Sequence, residues 1–278
     1  MLLRYLGKKT PDAIHKTIHK IQEEIDQKGP STYIEPFVGT GEILNNLSFP
    51  KNTKLILNDS NKRIVDFLTH VKTNCDELIY LINGLSHELY NNLKEYERIK
   101  DEYNRTLGIS SPLRSSQYYY LLSHAHMNED RVNQQGFFNK AFYFRKSNTY
   151  FDGNNLKQLS IKLNELDAQI LNFDIIDFFN TIKPTNALIV CDPPYLTLPF
   201  GVKENPNWAE KFKKNGLHRF TSTTLIKLKE SNLCLCFNSC NEYVRREYQL
   251  DRVPNKILSI YHMKGVRTAR KEMLFKYV

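Results

Sequence analysis

At 278 residues, the chain is long enough to bury a sizeable core as one α/β domain with an inserted subdomain, or as two small domains. Lys and Arg number 39 against 30 Asp and Glu, a formal charge of +9, and residues 203–278, with 16 basic and 7 acidic side chains, hold the whole excess; such a concentration suits a polyanionic partner through counterion release. No apolar run approaches a membrane span, no secretory leader pattern opens the chain, and the five cysteines lack disulfide-framework spacing, so the expectation is a soluble, cytoplasmic protein with no membrane partner.

In chain order, residues 31–38 read as a short strand that runs straight into Gly39-Thr40-Gly41 and a helix-compatible stretch over 42–47. Strand, glycine turn and helix start make a ligand loop, because glycine lets the backbone turn tightly and approach a bound group; the full Gly-x-Gly-x-x-Gly fingerprint is not present. The next apolar run, Lys54–Asn58, ends at Asp59, at the spacing of about twenty residues where a second strand places an acid for two ribose hydroxyls. The alternative for Asp59 is the N-cap of the helix that follows.

Residues 31–73 thus give two βα units, and residues 86–127 break the alternation. Leu89, Leu93, Tyr96, Ile99, Lys100 and Tyr103 recur at helical spacing, and Tyr118-Tyr119-Tyr120 suits a core-facing stripe better than a DNA-facing one. Residues 128–155 mix polar and aromatic side chains. That composition suits groove reading and phosphate contact, with Arg131, Lys140, Arg145 and Lys146 as candidate DNA contacts, and it is compatible with a β-hairpin packed on one aromatic face.

Residues 168–192 return to strand, helix, strand, and residues 201–216 are polar enough to read as a mobile loop. Residues 233–237 read as a buried strand. Cys234, Cys236 and Cys240 are therefore taken as small hydrophobes, His124-Ala125-His126 lacks a partnered ligand set, and no metal is expected.

The chemistry concentrates at Asp192-Pro193-Pro194-Tyr195, at the mouth of the apolar run Ala187–Cys191. Each proline removes a backbone donor and fixes φ, leaving carbonyl acceptors with no competing N–H, and Tyr195 adds a stacking face. An exocyclic amine held by the Asp192 carboxylate and the Pro193 carbonyl has both hydrogens engaged and its lone pair turned outward, toward an incoming methyl group. The bland alternative is a strand-to-turn exit, since Asp-Pro-Pro is also turn punctuation.

Taken in this order, the motifs resemble the Dam-like, D12 class of adenine-specific DNA methyltransferases. Arg4-Tyr5-Leu6-Gly7-Lys8-Lys9 is similar to the family's opening aromatic-x-Gly-Gly-Lys element, with Lys8 in place of the second glycine. Residues 33–41 are similar to its cofactor loop almost throughout, Asn58-Asp59-Ser60-Asn61 looks like its Asn-Asp-x-Asn element, and Asp192 to Tyr195 looks like its catalytic motif. Phe220-Thr221 and residues 237–241 and 267–274 resemble later landmarks.

The resemblance implies an α/β fold: a class-I, Rossmann-like methyltransferase sheet from residues 1–83 and 156–278, with a mainly helical DNA-recognition insertion at 84–155. It implies S-adenosyl-L-methionine held through Tyr5, Lys9, Glu35, Phe37, Gly39, Gly41, Asp59 and Asp192, an aromatic–cation pair lying near the sulfonium-bearing ligand. Asp174 falls where related enzymes place an acid on the cofactor's adenine amine, and it reads equally as a helix cap. The implied partner is double-stranded DNA, and the implied reaction is methyl transfer to adenine N6 after base flipping, in a monomer, with any cognate restriction endonuclease acting separately. Two rivals stand beside it. A cytosine-N4 methyltransferase usually opens its motif with Ser where this chain has Asp192; a catalytically degenerate DNA-binding relative is disfavoured by intact Gly39, Gly41, Asp59 and Asp192.

Overall fold

The structure is a computed structural model that describes residues 2–3, 11–88, 91–144, 151–195, 207–263 and 270–278. Among them, strands β1 (Thr32–Glu35), β2 (Lys54–Asn58), β3 (Gln169–Leu171), β4 (Ala187–Cys191), β5 (Leu233–Ser239), β6 (Asn255–Met263) and β7 (Arg270–Tyr277) form one sheet in the order β3-β2-β1-β4-β5-β7-β6. Only the two pairings of β7 are antiparallel. This is the class-I arrangement that the sequence leads one to expect.

The helices are α1 (Pro11–Lys28), α2 (Glu42–Asn45), α3 (Lys62–Thr73), α4 (Cys75–Glu88), α5 (Leu93–Arg105), α6 (Pro112–His124), α7 (Asn154–Glu165), α8 (Ile175–Thr181), α9 (Asn207–Lys214), α10 (Leu217–Leu228) and α11 (Glu242–Glu247). No described helix is long and apolar enough to cross a membrane. The chain divides into a sheet unit (residues 9–38, 46–60 and 166–278) and a helical unit (1–8, 39–45 and 61–165). The helical unit is wider than the expected insertion at 84–155 because α3 packs on α4, α6 and α7, which draws both flanks of the insertion into one helical core.

In the sheet unit, β4 is buried at every position because a central parallel strand is covered on both faces. On one face, Ile34, Ile189, Cys191, Cys234, Cys236 and Phe275 pack against Phe178 of α8, Phe212 of α9, Leu225 of α10 and Tyr248, the C-cap of α11. Cys234 and Cys236 thus serve as small core residues. Lys276, the next residue after Phe275 and so on the other face, forms an ion pair with Glu24 of α1.

The expected mobile loop at 201–216 is corrected over residues 207–214, which form α9. Its polar sequence hides the reason: Phe212 is buried and packs edge-on against Phe37 and His218, so tertiary contact rather than local pattern makes the helix. In the helical unit, Tyr96, Ile99 and Tyr103 of α5 are buried while Leu93 is exposed; Leu89 lies outside the described residues. Tyr118, Tyr119 and Tyr120 are all buried, as a core-facing stripe requires.

Candidate active site

Strand β1 pairs with β2 on one side and with β4 on the other, so the order of the sheet reverses there. Ligands of open α/β sheets bind beyond the carboxyl ends of the strands at such a switch point. Glu35 ends β1, Asp59 directly follows β2, Asp174 lies just past β3, and Asp192 directly follows β4. Four parallel strands therefore deliver four carboxylates to one edge of the sheet, and the two flanking the switch point belong to the stretch before the glycine turn and to the Asp-Pro-Pro-Tyr tetrapeptide.

Each acid has a distinct setting. Glu35 is 1% exposed and accepts a 2.6 Å hydrogen bond from the Tyr33 hydroxyl. Burial, then the Glu35 carboxylate and, more weakly, Asp192, hold the Tyr33 phenol well above its ordinary range, so it remains a donor. Asp192 is half-buried, and its Oδ1 accepts a 2.6 Å bond from the Tyr195 hydroxyl. The tetrapeptide thus closes on itself, with the Tyr195 ring tethered beside the carboxylate; Pro193 is buried and Pro194 half-buried.

The cap alternative for Asp59 is ruled out by geometry: Asn61 is the N-cap of α3, accepting from the Arg63 N–H at 3.1 Å. Asp174, by contrast, is the N-cap of α8, its Oδ1 accepting from the N–H groups of Ile176 at 2.8 Å and Asp177 at 2.9 Å.

Asn58 organises these strand ends. It is 1% exposed; its side-chain nitrogen donates to the carbonyls of Pro36 at 3.0 Å and Phe173 at 3.1 Å, and its Oδ1 accepts from the Phe173 N–H at 2.9 Å. Its own carbonyl accepts from the Val38 N–H at 2.8 Å. One amide therefore ties together the ends of β1, β2 and β3. In the sequence Asn58 stands out only as the first residue of the Asn-Asp-x-Asn element, without this tying role, for which a polar Asn closing an apolar strand is the available signal.

The chain leaves β1 through Phe37 and Val38 into Gly39 and Gly41, whose φ angles of +52° and +75° are left-handed, which explains glycine at both positions. Tyr5 and Lys9 lie outside the described residues.

The helical unit carries a two-stranded ribbon anchored by bridges between Ala125 and Phe142 and between Val132 and Phe138. Its inner side is riveted: Phe138 is buried against Tyr103, and the Asn104 side chain engages both the N–H and the carbonyl of Phe138, at 2.8 and 3.0 Å. At the tip, Asn133 Oδ1 accepts from the N–H groups of Gln135 and Phe137, both at 3.0 Å. Arg131, Asn133, Gln134, Gln135, Phe137 and Asn139 remain exposed.

Of the candidate DNA contacts, Arg131 therefore stands on the open face. Lys140 does not: it is buried and ion-paired with Glu129, which takes its charge off the surface and corrects its selection as a DNA contact. Arg145 and Lys146 lie outside the described residues.

Asp130, just before Arg131, carries no sequence signal that marks it out. Its side chain is 1% exposed and accepts from Asn61 Nδ2 at 2.6 Å, the Tyr118 hydroxyl at 2.8 Å and Arg63 Nε at 3.1 Å. Burial is the largest influence on Arg63 and opposes its charge, but the Asp130 carboxylate together with Tyr118 and Tyr103 raises the guanidinium pKa above its ordinary value. No group of three or more His, Cys, Asp or Glu side chains among the described residues could hold a metal ion.

A family model for the D12 class N6 adenine-specific DNA methyltransferases matches residues 5–266. The chain is 27% identical over 203 residues to the Type II methyltransferase M.MjaIII of Methanocaldococcus jannaschii, covering 70% of this chain and 69% of that protein. It is 28% identical over 173 residues to the DNA N-6-adenine-methyltransferase of Escherichia phage P1, spanning 60% of this chain but only 21% of that protein. With the retron Ec67 DNA adenine methylase of Escherichia coli it shares 24% identity over 198 residues, 70% of this chain and 63% of the other.

Proposed function

Given that the chain belongs to the D12 class of N6 adenine-specific DNA methyltransferases, we propose that it moves a methyl group from S-adenosylmethionine to N6 of an adenine flipped out of duplex DNA, at Asp192. The observation that carries this reading is the convergence of acid-bearing strand ends on the β1/β4 switch point, with the Asp-Pro-Pro-Tyr tetrapeptide on one side of it. A cytosine reading has no comparable support.

The donor set fits the cofactor on chemical grounds. Asp59, relieved of helix capping by Asn61, suits the two ribose hydroxyls; Glu35 and Asp192 suit the ammonium of the methionine part; Phe37 offers an apolar wall. Asp174 caps α8 through Oδ1, so an adenine-amine contact would use its other oxygen. When bound, S-adenosylmethionine supplies an electrophilic methyl group.

Asp192 and the Pro193 carbonyl hold the two amine hydrogens of the target adenine, which turns the nitrogen lone pair outward. Tyr195, fixed by its bond to Asp192, stacks on the base. Asp192 need not be a strong base, because the amine becomes more acidic as it gains the methyl group; its charge stabilises the developing positive charge until the proton leaves. The exposed face of the ribbon, with Arg131 and the polar tip, meets the DNA.

The test is direct. Purified protein incubated with the cofactor and duplex DNA should yield N6-methyladenine on digestion to nucleosides; N4-methylcytosine alone, or no methylated base across varied DNA, overturns the reading. Asp59→Ala should weaken S-adenosylhomocysteine by about 1.5–3 kcal/mol, the value of a hydrogen bond to a charged group, with little change in DNA affinity. Calorimetry showing unchanged affinity would remove Asp59 from the ribose.

A further inference from the structure

The carboxyl edge that presents Asp192 also carries a basic ledge. α9 is seated there by Phe212, whose ring meets that of Phe37, two residues past the end of β1, at 5.7 Å. Lys211, Lys213 and Lys214 surround that anchor in the sequence and stay exposed, as does Arg219 on the first turn of α10. Among the described residues, none of the four is ion-paired with an acid.

Lys213 is also held in place: its ammonium lies 5.5 Å from the centre of the Tyr243 ring, and the Arg246 guanidinium of α11 lies 5.6 Å from the same centre. Two helices thus gather cations around one aromatic, in the region that holds the chain's entire charge excess.

Neither the cofactor nor the target base asks for four cations, since the cofactor's single carboxylate is outnumbered by its sulfonium and ammonium and adenine is neutral. The anions that match the ledge in number are the phosphates of the strand that carries the flipped base. We propose that Lys211, Lys213, Lys214 and Arg219 form a phosphate-gripping ledge that holds the DNA backbone beside Asp192 without regard to sequence. The proposal rests on the methyltransferase reading for the identity of the polyanion. It divides the labour: the ribbon of the helical unit reads bases, and the ledge supplies affinity.

Lys211→Ala, Lys213→Ala and Lys214→Ala, combined in one variant, test it, with the three Lys→Arg changes as the charge-keeping control. Duplex affinity would be followed by anisotropy from low to moderate salt. The plot of log affinity against log salt should become shallower by about 0.9 for each phosphate that is no longer neutralised, and low-salt affinity should fall at least about tenfold. The arginine variant should keep the wild-type slope. Affinity for S-adenosylhomocysteine and single-turnover preference among sites differing by one base pair should not change.

An unchanged slope overturns the proposal. So does a loss confined to one DNA sequence, which would mark base reading, or a matching loss of S-adenosylhomocysteine affinity, which would mark a structural role. Lysine-dependent DNA binding by a wild-type protein that methylates nothing would sink the activity reading and leave the ledge standing; intact methylation with an unaltered slope would sink the ledge alone.

Discussion

Asp192→Ala is expected to lower single-turnover methyl transfer at least about a hundredfold, because the target amine loses the charged acceptor that aligns its lone pair and misalignment alone costs that much. The fold should survive. Asp192 is half-buried at a strand exit, and β4 beneath it is held by pairing with β1 and β5 rather than by this side chain. Thermal melting should therefore be nearly unchanged while turnover collapses. Tyr195→Phe, which deletes the hydroxyl donor to Asp192 but keeps the stacking face, should cost much less. Near wild-type turnover in the alanine variant would show that the tetrapeptide is a turn and not a base pocket.

The largest expected loss of stability lies elsewhere, in Asp130→Ala. Removing this carboxylate strands the Arg63 guanidinium with Asn61 and Tyr118 deprived of their shared acceptor, and breaking a buried pair from one side costs about 3–5 kcal/mol. Urea unfolding should show a lower midpoint at a similar slope. A loss below about 1 kcal/mol would mean that water replaces the carboxylate without strain. Because Asp130 directly precedes Arg131, the variant should also loosen the ribbon from the helices that hold it.

The acid-bearing edge of the sheet is legible in the sequence because the signals there are local. Apolar runs ending in Glu35, Asp59 and Asp192 are strands by pattern, and the glycines after β1 are required by backbone angles that few other residues adopt. What escapes reading depends on partners distant in the chain. Lys140 looks like any surface cation until Glu129 is folded against it. α9 is polar by composition, and only the seat of Phe212 on Phe37 makes it a helix. Asp130 draws its donors from α3 and α6, and Asn58 its acceptors from the ends of β1 and β3, so neither role is written in neighbouring residues. The boundary of the helical unit is hidden for the same reason: α3 has the pattern of a helix in a βα unit, and its packing on α6 and α7 is not visible in that pattern.

The tie made by Asn58 has a consequence for how the sheet edge breathes. Val38 and Phe173 are far apart in sequence, yet both donate their N–H groups to Asn58, one to its carbonyl and the other to its side chain. Fraying of the β3 end breaks two of the three bonds that fix the Asn58 side chain and so loosens the amide that also holds Pro36 at the end of β1, which couples the opening of the two strand ends. Such coupling raises the free energy of every partial opening at the edge where the acids stand. The crevice spends less of its time distorted, and a ligand arriving there finds its partners already spaced instead of having to assemble them on arrival.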